Sequence, residues 1–252
     1  MIRVENTSYI IEVENLVKKY GDLIAVNGIS FNVKRGDIFA FLGPNGAGKS
    51  TAIKILTTVL QPTSGNIKVN GYSTVHEEHK VREAIGVVFQ DHSLDKDLTA
   101  YENLYYHSVL YKVPRHERKD RIEDMLNKVG LWDRKGSLVK TFSGGMKRRL
   151  EIIRGLLHYP KILILDEPTS GLDAQTRHFL WNHIDEVNQK HQTTIFLTTH
   201  NLEEAEKVAN EIAIIDQGHI LAMGTVDEIR QKTGSESLEK AFLEMTGYEL
   251  RN

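Results

Sequence analysis

The chain has 252 residues, with 32 basic and 34 acidic side chains for a formal charge of -2, and no cysteine. Near-neutral balance gives no broad basic field for nucleic-acid phosphates, so no nucleic acid is expected as a partner; the missing thiols exclude disulfides and thiolate metal sites and fit a reducing compartment. Apolar runs such as Ile162 to Leu165 and Ile212 to Ile215 are far shorter than the roughly 20 residues of a spanning helix, and Met1 to Asn6 lacks the apolar core of a secretory signal, which predicts one compact cytoplasmic unit that reaches a membrane only through another protein.

The first forty residues alternate apolar and polar positions between turn signals at Gly21-Asp22, Asn27-Gly28 and Lys34-Arg35-Gly36-Asp37, the pattern of an antiparallel β lobe. Ile38 to Leu42 then reads as a buried strand, followed by a glycine-rich turn and a helix over Lys49 to Val59. Ile85 to Phe89, Ile162 to Leu165 and Thr194 to Leu197 lack alternation, as in strands covered on both faces of a mainly parallel sheet. Between the first two of these runs lie helical patterns, Thr99 to Leu110 with a capping box at Thr99 and Glu102, and Arg115 to Val129. The tail adds strands at Glu211 to Asp216 and His219 to Met223, a capping box at Thr225 and Glu228, and a last helix from Ser237. The expected organisation is one α/β domain over 1–252, with a core and β lobe at 1–90 and 159–252 and an inserted helical sub-domain at 91–158.

Gly43-Pro44-Asn45-Gly46-Ala47-Gly48-Lys49-Ser50 matches G-x-x-x-x-G-K-[ST] between an expected strand and an expected helix, the phosphate loop of a P-loop NTPase. Its backbone N–H groups and the helix N-terminus favour phosphate, Lys49 adds a mobile cation, Ser50 can bind Mg²⁺, and Thr51 is a further phosphate donor. Leu163 to Pro168 is a strand ending in two carboxylates, with Asp166 placed as the Mg²⁺-side acid. Pro168 biases Glu167 toward an extended backbone that could aim it at an attacking water as general base. Alone, such an acidic pair also reads as a helix cap or a solvated turn. Lys147-Arg148-Arg149 reads as a partly solvated helix face, and His76-Glu77-Glu78-His79 is not the zinc pattern H-E-x-x-H.

With these motifs in this order, the sequence closely resembles the ATP-binding-cassette (ABC) ATPases over almost its whole length. Thr141-Phe142-Ser143-Gly144-Gly145-Met146-Lys147 is similar to their signature sequence, although Phe142 and Met146 replace the common leucine and glutamine. Ser143 suits an N-cap, and Gly144 and Gly145 leave N–H groups open to an anion, as they also would in an ordinary helix start. The resemblance implies that Ser143, Gly144 and Gly145 face the γ-phosphate of ATP held by a second ATPase subunit. It further implies Gln90 as a ligand to Mg²⁺ and water, His200 as a γ-phosphate contact, Tyr20 as the adenine platform, and Ser170-Gly171-Leu172-Asp173 as a loop at the dimer interface.

Phe89 to Asp95 and Ser143 to Ile152 resemble the ATPases of daunorubicin-resistance-type and related ABC-2 exporters. That branch implies a homodimer or heterodimer of ATPase subunits binding ATP and Mg²⁺, peripheral on the inner face of the cell membrane through separate transmembrane permease subunits. A docking segment is expected at Gln90 to Glu102, with Leu94 and Tyr101 as its contacts. No regulatory domain is expected after the last helix. The competing readings are a soluble ABC ATPase that remodels a cytoplasmic assembly, disfavoured because neither a second cassette nor a long coiled coil is seen, and a sensor without turnover, disfavoured because Glu167 and His200 are both present.

Overall fold

The computed structural model describes residues 8–91 and 93–247; Met1 to Asn6 and His92 lie outside the described residues. Two long strands, β1 (Tyr9–Tyr20) and β2 (Leu23–Lys34), pair antiparallel across a turn at Gly21-Asp22. The expected turn at Asn27-Gly28 is a bulge inside β2: Leu16 opposes Ile29 and Val17 opposes Asn27, which leaves Gly28 unpaired at φ 70°. Glycine at positive φ serves a bulge as readily as a turn, and the flanking alternation is the same for both.

A strand buried at every position follows, β3 (Ile38–Leu42), then α1 (Lys49–Leu56), β4 (Ser64–Val69) and β5 (Tyr72–Ser73). Helix α1 stops short of Val59, because Thr57 folds its hydroxyl back on Ile53 O at 2.8 Å and Thr58 takes a left-handed φ of 62°. A short helix without a sequence forecast, α2 (Glu78–Ala84), leads into β6 (Ile85–Val88). Three helices come next, α3 (Ala100–Leu110), α4 (Arg118–Lys128) and α5 (Gly144–Leu156). The Thr99–Glu102 capping box is formed, whereas α4 begins three residues later than the sequence suggests, after a turn in which Glu117 N donates to Pro114 O. The chain closes through β7 (Ile162–Asp166), α6 (Ala174–His191), β8 (Thr194–Thr199), α7 (Leu202–Val208), β9 (Glu211–Asp216), β10 (His219–Gly224), α8 (Val226–Thr233) and α9 (Leu238–Thr246).

The strands form two sheets: an antiparallel one in the order β2-β1-β4-β5, and a central one in the order β10-β9-β3-β8-β7-β6, parallel except for β10 at its edge. Alternate residues of the buried strands serve different layers. Phe39, Phe41, Ile164, Phe196 and Ile215 face the antiparallel sheet and α1, where Phe31, Phe39 and Phe196 stack at centroid distances of 5.6 to 6.1 Å. Ala40, Leu42, Leu163, Leu165 and Leu197 face an apolar layer that continues into α3, α4 and α5. Helix α5 lies tight on β6, since a Cβ on Gly86 would sit 2.1 Å from Gly155 O.

Candidate nucleotide-binding site

The C-terminal ends of β3 and β7 and the N-terminus of α1 meet at a cleft of ≈ 400 Å³. Pro44, Asn45, Gly46, Ala47, Gly48, Lys49, Ser50 and Thr51 line it together with Tyr20, Gln90 and Glu167. Leu23 and Ala25 of β2 complete the wall and were not foreseen; an apolar residue directly after the Gly21-Asp22 turn, close to Tyr20, is the signal that could have found Leu23. Gly43 sits behind the cleft, where a Cβ would meet Ile215 O at 2.1 Å.

Lys49 is 5% exposed and donates Nζ to Gly43 O at 2.6 Å and Pro44 O at 3.0 Å, with Glu167 Oε1 at 3.7 Å. Burial lowers its pKa from the usual lysine value, opposed by Glu167 and Asp166. Ser50 Oγ donates to Asp166 Oδ1 at 3.3 Å, and Thr198 Oγ1 holds the same oxygen at 2.6 Å. Among the described residues no group of three or more His, Cys, Asp or Glu could hold a metal. The hydroxyl and carboxylate of Ser50 and Asp166, with the Gln90 amide on the same cleft, fit Mg²⁺, which takes one or two protein oxygens and completes its shell with phosphate and water.

Glu167 departs from the extended backbone expected before Pro168: its φ is 45°, in the left-handed region. Its N–H is fixed by Thr198 O at 3.2 Å and Thr198 Oγ1 at 3.0 Å, and its carbonyl accepts from Arg148, which together outweigh the local preference. The carboxylate enters the cleft, with Oε1 3.2 Å from His200 Nδ1. Tyr20 is 46% exposed at the other end, its ring under Lys18 Nζ.

Ser143 caps α5 by accepting Met146 N at 3.3 Å, but the structure does not bring Ser143, Gly144 or Gly145 into this cleft. Gly144 lines an adjoining hollow that shares Gln90 and Glu167 with the cleft and is completed by Arg148, Ser170, Gly171 and Leu172. Asp173 of the expected interface loop caps α6. Arg148 was read as part of a solvated run, yet it is 4% exposed and every N–H it has is directed at protein oxygen. Leu94, expected at a docking surface, is 6% exposed inside the core, and Tyr101 packs against it.

The ABC transporter family model matches residues 26–170, more than half of the chain, from β2 through the phosphate loop and the Ser143 segment to Ser170. The chain belongs to that family, as an ATP-binding and ATP-hydrolysing subunit. It is 41% identical to the linearmycin resistance ATP-binding protein LnrL of Bacillus subtilis (strain 168), over 90% of this chain and 73% of that protein. Identity is 37% to the daunorubicin resistance ATP-binding protein DrrA3 of Streptomyces coeruleorubidus, over 93% of this chain and 74% of that one. A solved ATP-binding cassette, dimeric in a post-hydrolysis state with ADP and Pi, superposes with TM-score 0.78 at 27% identity, over 85% of this chain and 98% of the other. Family and relatives favour the transporter reading over soluble remodelling. Members of the family dimerise and work with transmembrane partners, and among the described residues no helix is long and apolar enough to cross a membrane.

Proposed function

We propose that this chain hydrolyses MgATP in the Tyr20 to Glu167 cleft and so powers export of a small molecule through separate membrane subunits. The observation that carries the reading is the convergence of Lys49, Asp166 and His200 around Glu167 at the end of the phosphate loop. Tyr20 would stack the adenine, and the phosphates would draw Lys49 Nζ from Gly43 O and Pro44 O. That withdrawal frees Glu167 Oε1 to take a proton from water as its oxygen attacks the γ-phosphorus; the bond to the β–γ bridging oxygen breaks, leaving ADP and Pi. His200 would donate to the γ-phosphate. Mg²⁺ held by Ser50 and Asp166, with Gln90 beside it, would offset the phosphate charge.

Ser143, Gly144 and Gly145 lie outside the chain's own cleft, and the similar solved cassette is dimeric; both support a shared site in which they close on ATP held by a second subunit. The resistance named for both relatives supports export. The outer face of α3 carries Tyr105, Tyr106, Val109 and Leu110 at 39 to 73% exposure. This apolar row, rather than Leu94, would meet the permease and hold the chain at the inner face of the membrane.

The test uses Glu167→Gln, expected to bind ATP and lose about 10²- to 10⁴-fold in turnover. In that background a mixed pair, Lys49→Ala on one chain and Ser143→Arg on the other, should trap about one ATP per dimer, since both lesions fall in one site. Either variant alone should trap little. Stable mixed dimers that trap no more than either parent would remove the shared-site reading.

A further inference from the structure

Arg148 stands on the second turn of α5 and grips four main-chain carbonyls. Nε donates to Pro168 O at 2.8 Å, Nη1 to Phe89 O at 2.6 Å, and Nη2 to both Asp166 O at 3.1 Å and Glu167 O at 3.0 Å. The last two belong to the carbonyl carbons that define φ of Glu167, so a single nitrogen spans the torsion that is held at 45°. Glu151, one turn along, places Oε2 3.5 Å from Nη1 and accepts Ser93 N through Oε1 at 2.8 Å. The pair therefore holds the backbone on both sides of Gln90, at Phe89 and at Ser93, as well as the backbone of Glu167. Both side chains are buried, at 4% and 1% exposure; neither lines the nucleotide cleft, and Arg148 reaches only the adjoining hollow that it lines with Gln90, Gly144 and Glu167.

We propose that Arg148, supported by Glu151, is a positioning residue for hydrolysis: it stabilises the left-handed backbone that aims Glu167 into the cleft. This rests on Glu167 as the base. A guanidinium suits the task because its planar fork serves four acceptors at once, whereas a lysine ammonium has three donors on a flexible stem.

In the purified chain, Arg148→Lys is expected to bind ATP with unchanged affinity and to lose about 10- to 100-fold in kcat, the effect of a small misplacement of a catalytic group. Glu151→Gln, which keeps an oxygen for Ser93 N, is expected to lose about 3- to 10-fold with KM unchanged. Adding Arg148→Lys to Glu167→Gln should change the residual single-turnover rate by less than about twofold, since the positioned base is already gone. The proposal is overturned if folded Arg148→Lys turns over at the parent rate, or if it slows both backgrounds by the same factor. Should Arg148→Lys not fold, Glu151→Gln decides through the same pair of backgrounds. Parent-like turnover by Glu167→Gln itself overturns the base assignment, and this proposal with it.

Discussion

Glu167 and Arg148 are the residues at which local sequence preference and tertiary structure part company. Pro168 disfavours the right-handed helical region for Glu167 but does not choose among the remaining conformations; Thr198 and Arg148 make that choice from elements far along the chain. Reading Lys147-Arg148-Arg149 as one face ignored helical geometry, which turns consecutive side chains roughly 100° apart. Arg148, Glu151, Ile152 and Gly155 fall at i, i+3, i+4 and i+7 on one buried stripe of α5, so a charge pair within an apolar stripe was the available signal. The phosphate loop, by contrast, was legible because its glycines and lysine act through their own backbone and a short reach. Tyr20 offers a simple check. Tyr20→Ala should raise the ATP KM about 3- to 10-fold, the loss of one aromatic stack, and leave kcat within about twofold; an unchanged KM would place the adenine elsewhere.

At the scale of elements, the contact of α5 with β6 is asymmetric. A Cβ on Gly86 collides with Gly155 O at 2.1 Å, while a Cβ on Gly155 finds its nearest neighbour, Leu163 Cδ1, at 3.4 Å. Gly86→Ala should therefore cost about 3 kcal/mol or more by overpacking, and Gly155→Ala should stay within about 1 kcal/mol of the parent, helix propensity offsetting crowding; denaturant melts of the two compare them directly. The end of α3 contains a second measurable feature. His107 and His158 are stacked on Tyr111 at 4.4 and 4.0 Å, and burial lowers their pKa values from 6.5 to about 3 and about 4, with Arg154 further disfavouring the charged His107 and Arg121 the charged His158. Because both folded values lie below 6.5, the unfolded chain binds more protons between pH 6.5 and about 3, and stability falls as the pH drops through that window. Thermal melts at pH 7 and pH 5 should show the loss, and His107→Phe, which also removes a buried Nε2 without a partner, should lessen it. An equal loss in both proteins would assign the acid sensitivity to other groups.

For the molecule as a whole, fold class and the two-sheet layout were legible, because buried strands announce themselves as unbroken apolar runs and the lobe as alternation. Strand order was not, since pairing between distant segments leaves no local trace. That order governs how the protein reaches its fold. Strand β3, which launches the phosphate loop, lies between β8 and β9, and both are encoded in the last quarter of the chain. A nascent chain that has emerged only as far as Lys190 already contains Lys49, Asp166, Glu167 and Ser143, yet β3 has neither neighbour. Long-range closure of this kind makes folding slow, and the loop should gain its grip only once β8 and β9 have been made. A fragment ending at Lys190 is thus expected to show no ATP retention and ready proteolysis, and retention comparable to the full chain would mean that the loop forms without its flanking strands. The first motif to be translated would be among the last to become a binding site.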